Sequence, residues 1–285
     1  MTTPVATGRQ QYGASRLWGL PWLTIVIICG FVFAGLLAPW ISPYDPNAQD
    51  LMLRLRPPSA AHWLGTDGLG RDVLTRLIYG ARVSLVVVLC ALAVGLLIGL
   101  TLGVIAGYFG GKIDAVISRA IDAALSIPSL FLGLLLAVTL GAGLGSVVIA
   151  ISLILWSRFA RIIRGEVIAL KHRDFILQAR ITGCSPLRIV LVHILPNILN
   201  TVLVLVSINL GEVILLEASL SFLGAGIPPP AASWGGLVAD GQNYLTSAWW
   251  LALAPGMAIL LTVLAFNIFG DWCRDMLDPR LRDRL

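Results

Sequence analysis

Five long stretches of this chain carry no charged side chain, and they constrain its fold more than any other feature. They run from Leu17 to Tyr44, Val83 to Gly111, Ala123 to Ser157, Ile189 to Gly211 and Gly241 to Gly270. Each exceeds the roughly 20 apolar residues that a helix needs to cross ~30 Å of hydrocarbon. Charged residues make up 12% of the 285, where the surface of a soluble domain needs about 25%. Most of this surface therefore meets something other than water. Long β-barrel alternation is absent, so the expectation is an all-α polytopic membrane protein in contact with lipid.

The third run is 35 residues long, too long for one helix and short for two. The glycine cluster Gly141-Ala142-Gly143-Leu144-Gly145 divides it by offering a tight turn. Six spans follow, at about 20–41, 83–107, 122–140, 146–164, 198–220 and 249–270. Arg158 and Arg161, at the end of the fourth, are expected to snorkel toward headgroups. Pro128 and Pro255 fall near the starts of the third and sixth, where a missing N–H costs little. The apolar stretch of the first is longer than a signal-peptide core and no A-x-A site follows it, so a retained anchor is expected.

Basic residues orient the spans. Arg158, Arg161, Arg164, Lys171, Arg173, Arg180 and Arg188 crowd the segment between the fourth and fifth, whereas the next connection has Asp240 as its one charge. Alternation then places both termini in the cytoplasm, with Arg9, Arg16, Arg274, Arg280, Arg282 and Arg284. Residues 42–80 and 222–247 lie outside, although Arg54, Arg56, Arg71 and Arg76 run against the rule there. Cys29 and Cys90 sit at membrane depth, and Cys184 and Cys273 in cytoplasmic segments with no CxxC pair.

Gly95, Gly99, Gly103 and Gly107 recur every fourth residue, forming a ridge that lets a neighbouring helix approach closely. The partner is a span of this chain or a second subunit. Glu212 and Glu217 are the acids of the fifth span. Asn209 shares a face with Glu212, and Glu217 lies about 140° around the helix. These three polar residues are candidates for lining a solute path. The alternative places Glu217 at the interface and satisfies Glu212 from a neighbouring span.

The chain lacks a phosphate-binding loop. Ala106 to Ile113 lacks the first Gly and final Ser/Thr of that motif and follows no strand. His62, His172 and His193 fall on predicted loops on different sides, which gives no metal site. No G-x-S-x-G element occurs. The expectations are no catalysis, no cofactor and no nucleic-acid partner for this chain, with any ATP chemistry on another subunit.

The segment after Arg173 reads Asp174-Phe175-Ile176-Leu177-Gln178-Ala179-Arg180-Ile181-Thr182-Gly183-Cys184-Ser185-Pro186, and continues to Leu195-Pro196. Asp174 is expected to cap a short helix that Gly183 ends, and Ser185-Pro186 to start a second that Pro196 limits. A short helix held at both ends by spans is a knob for a partner, or else an amphipathic segment on the membrane surface. This pattern resembles the membrane permeases of binding-protein-dependent ABC importers. Ala179, Gly183, Leu195 and Pro196 match the spacing of their cytoplasmic signature, while Leu177-Gln178 stands where Glu-Ala is usual and His193 where an apolar residue is.

Further blocks resemble the C-type permease of the dipeptide/oligopeptide/nickel branch. They are His62-Trp63-Leu64-Gly65-Thr66-Asp67, Gly70-Arg71-Asp72, Gly80-Ala81-Arg82, Glu217 to Gly226, Pro229-Pro230 with Ser233-Trp234-Gly235, and Ala265-Phe266-Asn267. Ala232 replaces the third Pro that this branch commonly has. The resemblance implies a heteromeric importer in the inner membrane. A paralogous permease completes the path, two ATPases carry ATP and Mg²⁺, and an extracytoplasmic solute-binding protein delivers a peptide or related solute. Leu177, Gln178, Ala179, Gly183, Ser185 and Pro186 would then couple to the ATPases. It divides the chain into 1–80 (tail, first span, external segment) and 81–285 (transmembrane core, with the coupling loop at about 165–197). A stand-alone secondary transporter or channel is the rival reading, although no inverted repeat is seen.

Overall fold

A computed structural model describes residues 21–277. The basic residues at either end, Arg9, Arg16, Arg280, Arg282 and Arg284, lie outside that range. The described chain is nearly all helical, with one isolated bridge between Thr66 and Asp72. Its long helices are α1 (Trp22–Ile41), α2 (Val73–Phe109), α5 (Leu144–Leu170), α8 (Leu195–Phe222) and α10 (Trp250–Leu277). Between them lie α3 (Gly111–Ser126), α4 (Ser129–Leu140), α6 (Asp174–Ile181), α7 (Pro186–Arg188) and α9 (Trp234–Gln242).

The glycine ridge faces α5 of the same chain. A methyl group on Gly95 would meet Leu155 and Ser152, on Gly99 Phe159 and Trp156, on Gly103 Ala160 and Ile163, and on Gly107 Val167 and Arg164. Without side chains on α2, the two backbones close to contact, and Ser152 Oγ donates to the Ala91 carbonyl at 3.3 Å. Partner numbers rise together along the ridge, so α2 and α5 run parallel. Two parallel helices joined by chain require an odd number of crossings between them. The α3–α4 pair makes that crossing, bent by 92°. Among the described residues, five continuous helices are long and apolar enough to cross a membrane, and this bent pair, counted as one crossing, brings the spans to six.

The bend corrects the expected single helix at 122–140. Pro128 does not open that span cheaply; it divides two helices. Proline forces the preceding residue out of the helical region, and Ile127 is extended at φ −91°, ψ 127°. The glycine cluster does separate α4 from α5, with Gly141 at φ +84° as the C-cap of α4.

Two other boundaries differ. Helix α2 begins ten residues before the expected 83, capped by Asp72, whose side chain accepts from the Thr75 N–H at 2.8 Å. A boundary at residue 80 therefore cuts a continuous helix. Pro196 does not limit α7 either. The chain is helical without a break from Pro186 to Phe222, because residues Ile189–Ile194 form a π segment that leads into Pro196. The Leu195 N–H donates to the Val190 carbonyl, five residues back. That wider turn makes room for a proline ring that would collide with the carbonyl four residues before it. His193 thus lies in a helix rather than a loop.

The alternation of directions places residues 42–72 and 223–249 together at one end, here called the cap. The α2–α3 junction and α6 lie at the other, the knob end. Both ends of the described chain, at α1 and α10, lie on the knob side.

Candidate coupling and translocation site

Helix α6 stands on the knob end with three hydrogen bonds closing its C-terminus. Thr182 N–H donates to the Gln178 carbonyl at 2.9 Å, Gly183 N–H to Arg180 at 3.0 Å and Cys184 N–H to Ala179 at 3.0 Å. The last two bonds define a Schellman turn, which needs a residue in the left-handed region at its penultimate position. Gly183 supplies it, at φ +79°. Ser185 then caps α7, accepting from the Arg188 N–H at 3.4 Å, with Pro186 at the first helical position. Asp174 is not the cap of α6. Arg173 takes that position without a side-chain bond, and Asp174 falls in the first turn, where its charge favours the dipole.

Of the six residues expected to face a partner, Leu177, Gln178, Gly183, Ser185 and Pro186 are exposed, as are Ile181 and Leu187. Ala179 turns inward beside buried Ile176, and the two seat the helix on the body. Residues that composition did not single out fasten the knob to α2. The Arg180 guanidinium lies over the Tyr108 ring, 5.3 Å from its centroid, and Lys171 Nζ donates to the Gly107 carbonyl at 2.8 Å. The second bond satisfies an orphan carbonyl in the last turn of α2.

The three polar residues of α8 are not brought together on one lining. Glu217 is wholly buried, accepting from Ser84 Oγ at 3.0 Å and Ser221 Oγ at 2.8 Å. Each bond adds about 1 kcal/mol net and leaves no orphan oxygen in an apolar interior. Asn209 is also buried, with Nδ2 donating to the Leu205 carbonyl of its own helix at 2.7 Å. Glu212 alone is accessible, and it forms an ion pair with Arg158.

Arg158 and its neighbours meet acids of this chain. Arg161 pairs with Asp122 at 2.7 Å, and Arg164 holds both oxygens of Asp114. Arginines three residues apart on α5 thus meet acids of α3 and α8. The spacing was a readable signal, but both α3 acids lie on a helix whose full extent was not expected.

The cap gathers the remaining motif residues. His62 Nδ1 is 2.9 Å from Asp72 Oδ1, and Arg71 Nε donates to Asp67 Oδ2 at 2.6 Å. Ser233 caps α9, accepting from the Gly236 N–H at 3.2 Å, and buried Trp234 donates Nε1–H to the Leu77 carbonyl at 2.8 Å. Gly80 makes room for that indole, since a methyl group there would come within 2.5 Å of it. Gly235 likewise rests on the backbone of Ala218. The Gly80-Ala81-Arg82 and Ser233-Trp234-Gly235 blocks are therefore two sides of one joint between α2, α8 and α9.

Comparison with known proteins agrees with this architecture. Residues 99–283 match the family described as binding-protein-dependent transport system inner membrane component. Residues 20–58 match the N-terminal TM domain of oligopeptide transport permease C. The chain is 42% identical over 270 residues to the dipeptide transport system permease protein DppC of Escherichia coli (strain K12), covering 93% of this chain and 88% of that one. It is 39% identical over 259 residues to the nickel transport system permease protein NikC of the same organism, covering 91% and 94%. It is also 39% identical over 278 residues to the di/tripeptide transport system permease protein DppC of Pseudomonas aeruginosa (strain UCBPP-PA14), covering 95% and 90%. An inward-facing structure of the MetNI methionine ABC transporter shares the fold, with a TM-score of 0.58 at 19% identity over 72% of this chain and 97% of that one.

Proposed function

The chain belongs to the family of binding-protein-dependent transport system inner membrane components, and from that premise we propose that it moves short peptides as one of two permeases of an ATP-driven importer. It is a multi-pass permease subunit of the inner membrane. The exposed knob is the observation that carries the rest. Helix α6 presents Leu177 and Ile181 to solvent, and α7 presents Leu187 beside them, at the end where the basic residues of α5 and α6 cluster. Apolar side chains held out on a short, capped helix are suited to a groove on a soluble partner. We assign that partner to two ATPase subunits that carry ATP and Mg²⁺, and catalysis to them rather than to this chain.

On this reading both termini are cytoplasmic, and the cap faces an extracytoplasmic solute-binding protein. A paralogous permease covers the accessible faces of α5 and α8 around Glu212. Peptide is the favoured solute because the dipeptide and di/tripeptide permeases are similar over nearly the whole chain. The test is uptake of labelled dipeptide and of nickel into right-side-out, ATP-loaded vesicles holding this chain with its paralogous permease and supplied with the solute-binding protein, with and without co-expressed ATPases. Dipeptide uptake that requires ATP and both ATPases is expected. Uptake by this chain alone, without ATP, would establish the stand-alone carrier instead.

A further inference from the structure

A cavity of 370 Å³ opens in the cap between the 42–72 segment, the first turn of α2 and α9. Its size is that of a small-molecule site. Arg54, Asp67, Arg71, Arg76, Asp240 and Tyr244 are among its walls. The charges on two of these are spent on each other. Arg71 Nε donates to Asp67 Oδ2 at 2.6 Å, and Asp67 Oδ1 accepts the backbone N–H groups of Leu69 and Arg71.

Arg76 is not satisfied in this way. It is only 3% exposed, and Nη1 donates to the Pro46 carbonyl at 3.2 Å. Its buried Nε has no hydrogen-bond partner among the described residues. Asp67 Oδ2 lies 3.7 Å from that nitrogen, beyond hydrogen-bond reach, and is already engaged by Arg71. A buried, charged donor without an acceptor is costly and uncommon. Asp240, on α9, lines the same cavity and enters none of the ion pairs among the described residues. A guanidinium and a carboxylate from two elements therefore face one cavity without meeting.

A lone anion on Arg76 would leave Asp240 repelling it, and a lone cation would meet the arginines. A zwitterion answers both charges. We propose that the cap cavity binds a free dipeptide, its carboxylate on Arg76 and its ammonium on Asp240. The two charges select a zwitterion; the choice of a peptide rests on the function proposed above.

The assembled permease–ATPase complex in nanodiscs, without the binding protein, is titrated with Ala-Ala, N-acetyl-Ala-Ala and Ala-Ala amide by calorimetry and saturation-transfer NMR. Ala-Ala is expected to bind, and blocking either end to weaken it by at least about tenfold. Asp240→Asn is expected to weaken Ala-Ala similarly while abolishing the preference over the N-acetyl form. Arg76→Gln should abolish the preference over the amide, and Arg76→Lys, which keeps the charge, should retain it. Equal binding of free and acetylated peptide, or Ala-Ala binding indifferent to Asp240→Asn, would overturn the site. ATP-dependent dipeptide uptake together with no Ala-Ala binding to the complex overturns this site and leaves the importer reading standing. Asp240-dependent Ala-Ala binding without dipeptide uptake does the reverse.

Discussion

Arg180 of the knob covers the ring of Tyr108 in the last turn of α2, with 5.3 Å between guanidinium carbon and ring centroid. That contact joins the short helix to the span whose glycine ridge packs against α5. Arg180 and the bond from Lys171 to the Gly107 carbonyl are the contacts that tie the knob to the α2–α5 pair.

If this joint transmits motion, weakening it should loosen transport from ATP turnover without dismantling the complex. A cation–π contact at an exposed site contributes about 0.5–1 kcal/mol, too little to decide folding. Arg180→Ala is expected to leave membrane abundance and ATPase co-purification near normal while lowering solute moved per ATP hydrolysed. Tyr108→Phe, which keeps the ring face, should behave as wild type, and Tyr108→Leu should resemble Arg180→Ala. An unchanged transport-to-hydrolysis ratio in both Arg180→Ala and Tyr108→Leu would remove the contact from the coupling route.

The α2–α5 seam makes a sharper prediction about stability. A methyl group on Gly99 would lie 2.6 Å from Phe159 Cβ and 2.8 Å from the Trp156 carbonyl oxygen. Neither neighbour is the loose end of a side chain, so the backbones must separate. Gly99→Leu is expected to prevent assembly, and Gly99→Ala to lower the melting temperature of the purified complex. Gly165, on α5, has no atom of the described residues outside its own helical turn within 4 Å of its Cβ position. Gly165→Ala should hold or raise that temperature, since alanine in a helix gains roughly 0.5–1 kcal/mol over glycine. Equal melting of the two alanine variants would show that the seam tolerates more space than its geometry indicates.

The spans were legible because an absence of charge over five runs has one explanation in a chain this apolar. The bent third span was not. Lys112, Asp114, Arg119 and Asp122 give α3 the charge density of a loop, and two of those charges are answered by α5 arginines that only the folded chain brings near. The start of α2 was hidden similarly, since Arg76 and Arg82 fall in its first three turns and Arg76 is buried by the cap. A short helix does stand where the motif lies, with Gly183 just past its end. The motif did not show what seats that helix, because Tyr108 and Arg180 are 72 positions apart. Glu217 was conspicuous as an acid in an apolar span, yet its role as a buried hydrogen-bond acceptor depends on Ser84, 133 residues away.

Asp240 gives the cap a pH dependence whose sign follows from its surroundings. Asp240 is exposed, but partial desolvation on its cavity side pushes its carboxyl above the usual aspartate range, against the pull of Arg76 and Arg71 and with help from the Asp67 charge. A carboxyl raised in the folded state is protonated more readily there than in the unfolded chain, whose value is roughly 4. Its contribution to stability is therefore present at low pH and lost as pH rises through the folded value. Without added peptide, Asp240→Asn is expected to melt higher than wild type at pH 7–8, with the gap closing as pH falls toward about 4. A gap that widens on acidification would reverse the sign and show the arginines to dominate.

Gly183 separates a coupling role from a structural one most cleanly. Its φ of +79° suits glycine, and a side chain held there costs on the order of 1 kcal/mol. Aspartate is among the residues that tolerate this region best. Among the described residues, its two chain neighbours aside, no atom lies within 4 Å of where a Cβ would sit, so Gly183→Asp adds strain but no clash with them. The strain falls in an exposed turn outside the bundle, so insertion and pairing with a second permease should survive. The added carboxylate stands at the end of α6, where a docked ATPase would have to close over it. The expected outcome is near-normal membrane abundance with uptake lost, and with ATPase subunits either absent on co-purification or hydrolysing without transport. Gly183→Ala shares the backbone strain without the charge and bulk, so it should retain more uptake than Gly183→Asp. Full uptake in the aspartate variant would refute contact at this turn, and loss of the protein from the membrane in both variants would make Gly183 a residue of the fold alone.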